Sequence, residues 1–193
     1  LGFAPREVAF RGGIFRVRGN TPQGEQTLEG DALLLAAGVR PNTDRLGLER
    51  TAIERTPEGW IRTDACLQTT VPGVYAFGDV AGRHLFRHTT NYEGEYLVRT
   101  ALGPGPAEPL DYGPVPHAVF SDPEVAGVGL TEPEARAAGL DCRIGRASYA
   151  DSTPGMARGS EHGLVKLIFN RGDRRLVGAH IVGDEAEIGR AHV

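Results

Sequence analysis

The residues most able to do chemistry lie in one short run, Thr69-Thr-Val-Pro-Gly-Val-Tyr-Ala-Phe-Gly-Asp79. The run predicts a turn, then a buried strand over residues 74–77, and then a carboxylate where that strand ends. Ligands of open α/β sheets bind beyond the carboxyl ends of the strands. Gly78 would let the backbone approach a ligand closely, and Asp79 could accept hydrogen bonds from sugar-like hydroxyls. The run therefore predicts a ligand site.

The alternative is that Asp79 only caps the helix that follows. A helical pattern extends from about His88 to Leu102, and Asp is a favoured N-cap residue. The N-terminal amides of such a helix also favour partial negative charge from a ligand. Asp79 comes well before the helical pattern, too early for a simple cap, so the spacing favours ligand binding.

The elements around this motif change character along the chain. Residues 8–18 alternate around Gly12-Gly13 and predict a β-hairpin, with a loop or a further hairpin over 19–30. The run 31–37, apolar from Ala32 onward, predicts a strand buried on both faces, as in a parallel sheet. Residues 60–63 predict another short strand. These elements are typical of an α/β domain.

The second half of the sequence predicts a separate domain of a different class. Gly103-Pro-Gly-Pro106 predicts a linker between domains. Thr131-Glu-Pro-Glu134 predicts a capping box that begins one helix, which Gly139 ends. Along 164–169, side chains alternate between two faces of a strand, which favours an α+β layer with one deeply buried side. The predicted strands are 116–121, 125–130, 142–149, 163–170 and 175–182.

Composition limits the class of protein. The 193 residues carry a net charge of −4, which argues against a nucleic-acid partner because phosphate binding needs a basic face. No apolar run approaches the roughly 20 residues of a membrane span, and the start lacks the pattern of a signal peptide. The chain begins with Leu1, so we expect that this residue is not a natural start. Cys66 and Cys142 lie far apart and make neither a close redox pair nor a metal cluster, and so few cysteines fit a reducing cytoplasm.

Four segments together resemble the pyridine nucleotide–disulfide oxidoreductases, a family that includes dihydrolipoamide dehydrogenase, glutathione reductase and mercuric reductase. The run ending at Asp79 resembles the family's second FAD-binding motif. The others resemble the return strand from the NAD(P) domain, the opening of the dimerisation domain and two of its later strands. The segments are Thr69–Asp79, Leu34–Thr43, Pro116–Gly129, and Gly163–Leu167 with Leu176–Gly183.

The resemblance implies roles for particular residues. Asp79 would bind a ribityl hydroxyl of FAD, and Gly78 would give it room. Arg87, His88 and Thr89 would begin the helix whose amides face the pyrimidine edge of the flavin, although His88 could equally be a partly exposed helix residue. More weakly, the resemblance places Ala37 and Gly38 beside the pyridine nucleotide. Packing or solvent-facing roles are expected for His117 and His180.

The resemblance also implies domains and a function. We expect the end of an NAD(P)-binding domain at 1–39, the C-terminal part of an FAD-binding domain at 40–112, and an incomplete dimerisation domain at 113–186 that forms a homodimer. The family's glycine-rich loops, redox cysteine pair and C-terminal His–Glu pair have no counterparts here. We therefore expect a piece truncated at both ends, inactive by itself, with no catalytic residue of its own.

The parent would pass hydride between a nicotinamide cofactor, FAD and a disulfide substrate. A dihydrolipoamide dehydrogenase-like parent is expected first, with a mercuric reductase-like enzyme or another disulfide reductase as the alternative. A hypothesis of another class is a dimerisation module without flavin. It would leave the apolar runs at 31–37 and 74–77 without sheet neighbours, which argues against it.

The last seven residues, 187–193, have a separate interpretation. Ile188-Gly-Arg-Ala-His-Val193 is the translation of ATCGGAAGAGCACACGTC, which resembles a common short-read sequencing adapter. The resemblance to the family fades where this match begins. We expect an artefact here, with a natural Gly-Arg helix start as the alternative.

Overall fold

The computed structural model describes residues 2–101, 103, 108–160 and 162–186. The chain divides into two compact units, Leu1–Asn42 and Thr43–Val193. Two of the segments interpreted above fall partly or wholly outside the described residues. They are the linker, of which only Gly103 is described, and the tail at 187–193.

The first unit is a three-stranded antiparallel sheet in the order β1-β2-β3, formed by Ala4–Arg11, Ile14–Thr21 and Gly24–Gly30. Gly12 and Gly13 close the first hairpin with φ of +60° and +81°, the two left-handed positions that a tight hairpin turn requires. The Arg16 guanidinium donates to the Glu29 carboxylate at 2.6 Å across β2 and β3. The predicted hairpin at 8–18 is confirmed, and the segment 19–30 forms the further hairpin.

The strand predicted at 31–37 is wrong. Residues 32–40 form no regular element, and the Leu34 and Leu35 side chains are 89% and 81% exposed. A strand needs neighbours for its backbone N–H and C=O groups. No described segment pairs with this run, so its apolar composition does not produce a strand here.

The second unit begins with irregular chain held by short-range bonds. Leu48, Ile61 and Ala76 form a small core, with Ile53 and Val80 packed against it. The strands predicted at 60–63 and 74–77 are reduced to two isolated bridges, Arg55 with Ile61 and Gln68 with Tyr75. These predictions are wrong for the same reason as the one at 31–37: no described strand lies alongside. Two short 3-10 helices occur here, at Leu48–Arg50 and Gly78–Ala81.

Helix α1 spans Arg87–Ala101 and confirms the predicted helix. Its buried positions are Thr89, Glu93 and Tyr96, at the i, i+4, i+7 spacing of one helical face. This face packs against the 3-10 helix at Gly78–Ala81 and against the segment 108–112. The helix therefore supports the turn that carries Asp79.

The remainder of the second unit has, in chain order, the elements β4 His117–Val119, β5 Val125–Gly129, α2 Glu132–Ala137, β6 Cys142–Ser148, α3 Thr153–Arg158, β7 Leu164–Asn170 and β8 Leu176–Val182. The strands form a five-stranded antiparallel sheet in the order β4-β5-β8-β7-β6. All five predicted strands are confirmed, and so is the α+β layer. Helix α3 was not predicted, although Ser152, Pro154 and Gly159 are typical start and stop residues.

Helix α2 begins with the predicted capping box. The Glu134 N–H donates to the Thr131 hydroxyl at 3.4 Å, and the Thr131 N–H donates to the Glu134 carboxylate at 2.8 Å. Gly139 follows the helix with φ of +73°, the left-handed conformation that favours glycine after a helix. The predicted start and stop of α2 are both confirmed.

The α2 side of the sheet carries the most buried strand residue. Ile168 is 0% exposed, and Gly178 lies opposite it on β8. Gly178 has no space for a side chain, because an added Cβ would lie 2.0 Å from the Leu130 carbonyl oxygen and 3.3 Å from Ile168 Cδ1. The Leu130 N–H also donates to the Val177 carbonyl at 2.8 Å. The chain entering α2 is therefore in direct backbone contact with β8.

We predict that Gly178→Ala destabilises the protein by about 1–3 kcal/mol, the usual cost of overpacking a filled site. The clash is with backbone, which a rotamer change cannot relieve. The matched control is Gly145→Ala on β6, where an added Cβ would meet nothing within 4 Å. Urea unfolding of the purified variants checks this, and equal midpoints for the two would contradict it.

The Glu132 carboxylate forms ion pairs with three cationic side chains beside the sheet. Glu132 of α2 pairs with Arg136 at 2.5 Å, Arg146 at 3.2 Å and Lys166 at 2.6 Å. The hydrogen bond from Lys166, and then the positive charges of Arg136, Lys166 and Arg146, lower the pKa of Glu132. The ion pairs therefore join α2 to β6 and β7.

We predict that this cluster makes stability depend on pH. Because the folded state lowers the pKa of Glu132, its contribution is present above the ordinary carboxyl pKa, about 4.3, and is lost as pH falls through the folded value. Glu132→Gln should lower the unfolding midpoint at pH 7 and have little effect at the acid end. In the control Glu49→Gln, which removes only an exposed pair with Arg50 at 3.7 Å, the midpoint should not change. If the unfolding midpoints of Glu132→Gln and the wild type differed by the same amount at every pH, the prediction would be contradicted.

Candidate functional site

Gly78 occupies a position that only glycine fits. Its φ is +70°, and an added Cβ would lie 2.8 Å from Thr90 Cγ2 in the first turns of α1. Nearby, the Phe77 ring lies over Gly94, where an added Cβ would be 3.4 Å from Phe77 Cε2. The turn that ends in Asp79 is thus pressed against α1 at two points.

Asp79 is exposed, and its side chain forms no hydrogen bond or ion pair with any residue that the structure describes. It lies inside the 3-10 helix Gly78–Ala81, whose N-cap is Phe77 and has no side-chain cap bond. Helix α1 begins only at Arg87. The structure therefore gives no support to the capping alternative and leaves this carboxylate available to hydroxyl donors.

The start of α1 supplies hydrogen-bond donors, whereas Asp79 supplies an acceptor. The Thr90 N–H donates to the Phe86 carbonyl at 3.1 Å, which is the first bond of the helical pattern. The amides of residues 87–89 therefore precede the intrahelical bonds and have no acceptor among the described residues. At a helix N-terminus such amides favour negative charge.

The three predicted side chains at this helix start differ in exposure. Arg87 and His88 are exposed, and the His88 ring stacks on Phe86 with 5.3 Å between centroids. Thr89 is buried, and its hydroxyl donates to the Phe86 carbonyl at 2.7 Å. Only the backbone N–H of Thr89 therefore remains for a ligand, whereas Arg87 and His88 can offer their side chains.

Sequence reasoning missed Glu93. This side chain is 1% exposed, and its Oε2 accepts a hydrogen bond from the Gly78 N–H at 2.5 Å. Its Oε1 accepts from the Tyr112 hydroxyl. Burial, and then the adjacent Glu93 carboxylate, raise the pKa of Tyr112. The helical spacing from Thr89 to Glu93 and Tyr96 was the signal that could have placed this carboxylate on the buried face.

The predicted site residues belong to both units. In the second unit, Gly78 lies against Thr90 and its N–H donates to Glu93, both in the helix that begins with Arg87, His88 and Thr89. In the first unit, Ala37 and Gly38 are exposed, and Gly38 has φ of +90°.

The remaining candidates lie elsewhere. An added Cβ at Gly127 would lie 2.8 Å from His180 Nδ1 and 3.0 Å from His117 Cε1, and His180 Nε2 is 3.0 Å from the Leu130 carbonyl oxygen. Cys66 lies near the Tyr96 hydroxyl, while Cys142 begins β6. Within the described ranges no three metal-binding side chains cluster, and none of the helices is long and apolar enough to cross a membrane.

Comparison with known proteins gives two consecutive family matches. Residues 6–102 match the pyridine nucleotide-disulphide oxidoreductases, and residues 115–191 match the dimerisation domain of that family. Dihydrolipoyl dehydrogenase from Rhizobium etli is 39% identical over 160 residues, which are 83% of this chain and 33% of the relative. The same enzyme from Bacillus subtilis is 38% identical over 172 residues, 89% of this chain and 35% of the relative.

Solved structures agree with these matches. The HOCl-induced flavoprotein disulfide reductase RclA from Escherichia coli superposes with a TM-score of 0.83 at 26% identity, over 95% of this chain and 41% of that one. LpdA from Mycobacterium tuberculosis gives 0.82 at 27% identity, over 96% and 39%. The predicted fold class, part of an FAD/NAD(P)-binding domain followed by an α+β dimerisation domain, is confirmed.

This chain spans about a third of the length of the curated relatives that it matches. The proteins of the matched family use FAD and a pyridine nucleotide as cofactors. Nearly all of the chain is covered by the two consecutive matches, and the sequence segments and the fold lead to the same assignment: the chain belongs to the pyridine nucleotide-disulphide oxidoreductase family.

Proposed function

We propose that this chain contributes part of the flavin site of an FAD-dependent, NAD(P)-linked disulfide oxidoreductase. The observation that carries the proposal is the exposed, unpartnered Asp79 carboxylate on a turn packed against the start of α1. In such an enzyme FAD supplies the redox chemistry, passing reducing equivalents between the nicotinamide and the disulfide. The chain's own residues bind and orient that cofactor.

The residues present fit such a ligand. The Asp79 carboxylate would accept hydrogen bonds from ribityl hydroxyls. Gly78 lets the turn pack against Thr90 of α1, where a side chain would clash, and so keeps Asp79 next to this helix. The amides of Arg87, His88 and Thr89 would hold the pyrimidine edge of the flavin, and the helix dipole would stabilise negative charge there. Ala37 and Gly38 would contribute to holding the pyridine nucleotide.

A dihydrolipoyl dehydrogenase activity is the form of this proposal that the relatives favour. The two relatives named above carry that name at 39% and 38% identity. A disulfide reductase of another kind is the second candidate, favoured by the fold similarity to a flavoprotein disulfide reductase. Because the matches include residues 6–102 as well as the dimerisation domain, a dimerisation module without flavin is disfavoured.

The proposal includes a homodimer formed through residues 113–186 and a cytoplasmic location. The match to a dimerisation domain supports the first. So does apolar surface left on the described sheet region, where Phe120 is 78% exposed and Val119, Leu164 and Leu176 are also exposed. The small number of cysteines supports a reducing compartment.

We predict that the full-length protein is a dimer at micromolar concentration. Two-fold symmetry lets one apolar patch meet its own copy. Phe120→Glu should shift the equilibrium toward monomer in sedimentation velocity by placing a charge in the contact. Leu46→Glu, which places the same charge at an exposed apolar residue outside 113–186, is the control and should leave the dimer intact. A stable, active wild-type monomer would refute the proposal.

We predict that Asp79→Ala in the full-length protein weakens FAD binding about tenfold or more, since hydrogen bonds to a charged group are worth about 1.5–3 kcal/mol. Flavin content after purification and titration of the apoprotein with FAD measure this loss. Asp44→Ala, which removes another exposed carboxylate of the same unit, should bind FAD as the wild type does. Unchanged FAD affinity in Asp79→Ala would remove Asp79 from the site.

A further inference from the structure

Glu93 is the buried carboxylate of the second unit that the proposed site does not itself use. Of the described side chains that are almost fully buried, Glu93 is one of the three largest, beside Leu67 and Ile168. Burying a carboxylate is costly unless hydrogen bonds replace those of water. Its two oxygens meet this requirement with one bond each, from the Gly78 N–H and the Tyr112 hydroxyl. An apolar residue at this position could accept neither of these hydrogen bonds.

The bond to Gly78 bears directly on Asp79. The Gly78 N–H belongs to the peptide group between Phe77 and Gly78, immediately before Asp79 in the chain. Gly78 itself has the left-handed conformation. The N-cap residue of this 3-10 helix supplies no side-chain bond, so Glu93 provides from α1 what a cap would provide locally. The orientation of the Asp79 side chain therefore depends on Glu93, a residue in the second turn of α1.

The bond to Tyr112 is part of a row of tyrosine contacts along α1. The Tyr96 hydroxyl donates to the Glu108 carbonyl at 2.5 Å, and the Tyr92 hydroxyl donates to the Asp111 carbonyl at 2.8 Å. Tyr112 completes the row by donating to Glu93 in the opposite direction. The segment 108–112 thus runs along the helix and ends at the carboxylate.

Tyr112 is itself held in place. Its ring meets His84 edge-on with 4.6 Å between centroids and lies 6.3 Å from the ring of Tyr92. His84 is in the loop between the Asp79 turn and the start of α1. The hydroxyl that orients Glu93 is therefore fixed by both segments that flank the proposed flavin site.

We propose that Glu93 is a positioning residue for the flavin site, which holds the Gly78 peptide so that the Asp79 carboxylate points outward, with Tyr112 as its second anchor. This inference rests on the proposed function. Glu93 does not touch the ligand; it acts through Gly78 and Asp79. Replacing it should change how well and in what geometry flavin is held, in addition to any effect on stability.

Conservative and disruptive variants separate this role from simple packing. Glu93→Ala leaves the buried Gly78 N–H without an acceptor, which is the costly way to lose a hydrogen bond. Glu93→Gln keeps an oxygen for the Gly78 N–H, and its amide can donate to the Tyr112 hydroxyl, which can also accept. Tyr112→Phe removes the second anchor only. Glu95→Ala changes an exposed carboxylate of the same helix and is the matched control.

The experiment uses the full-length protein and measures the FAD dissociation constant, the visible circular dichroism of the bound flavin and the melting temperature of the apoprotein. We expect Glu93→Ala to weaken FAD binding about tenfold and to alter the flavin dichroism. Glu93→Gln should remain within about threefold of wild type, because the hydrogen bond to Gly78 persists. Tyr112→Phe should fall between them, and Glu95→Ala should match wild type.

Three results would overturn the inference. The first is folded Glu93→Ala with wild-type affinity and dichroism. The second is a Glu93→Gln loss equal to that of Glu93→Ala. The third, which decides the matter if Glu93→Ala does not fold, is wild-type affinity in Tyr112→Phe. Asp79→Ala, measured in parallel, tests the proposed function separately: if it binds FAD normally, that function fails whatever the Glu93 variants do.

Discussion

Two hydrogen bonds to a buried carboxylate organise the part of the second unit that we propose to hold the flavin. Glu93 joins the Asp79 turn, helix α1 and the segment ending at Tyr112 without a charged partner among the described residues. Neutral donors suffice because each carboxylate oxygen receives one directed bond, and such bonds are stronger in a dry interior than in water. The exposed groups around Asp79 are positioned by an interior group that solvent does not reach.

The elements that sequence predicts best are those whose neighbours lie within the same stretch of chain. The five strands from β4 to β8 pair only with one another, so their alternation and turns contain what is needed to recognise them. The runs at 31–37 and 74–77 are as apolar as any strand, yet no described strand lies beside them. Apolar composition indicates that a segment can be buried; only a hydrogen-bonding neighbour makes it a strand.

For the candidate site too, the sequence indicates what is local. Gly78 and Asp79 can be proposed from sequence because their residue types and their order after a turn have a local meaning. The contacts of Thr89 and Glu93 depend on which helical face meets the rest of the unit. Thr89 turns its hydroxyl back to Phe86, and Glu93 accepts from a peptide N–H 15 residues earlier. Helix α3 is different, because its start and stop residues, Ser152, Pro154 and Gly159, are visible in the sequence.

The strand order also has a consequence for how the sheet assembles. Strands β6, β7 and β8 follow one another as antiparallel neighbours. By contrast, β5 pairs with β8, with Val125 opposite Val182, although helices α2 and α3 and strands β6 and β7 lie between them in the sequence. Closing so long a loop costs chain entropy that is repaid only when the pairing is complete. We therefore expect the β6-β7-β8 meander to form first and the β4-β5 hairpin to dock later, which would leave the β8 edge open to any other strand in the interval.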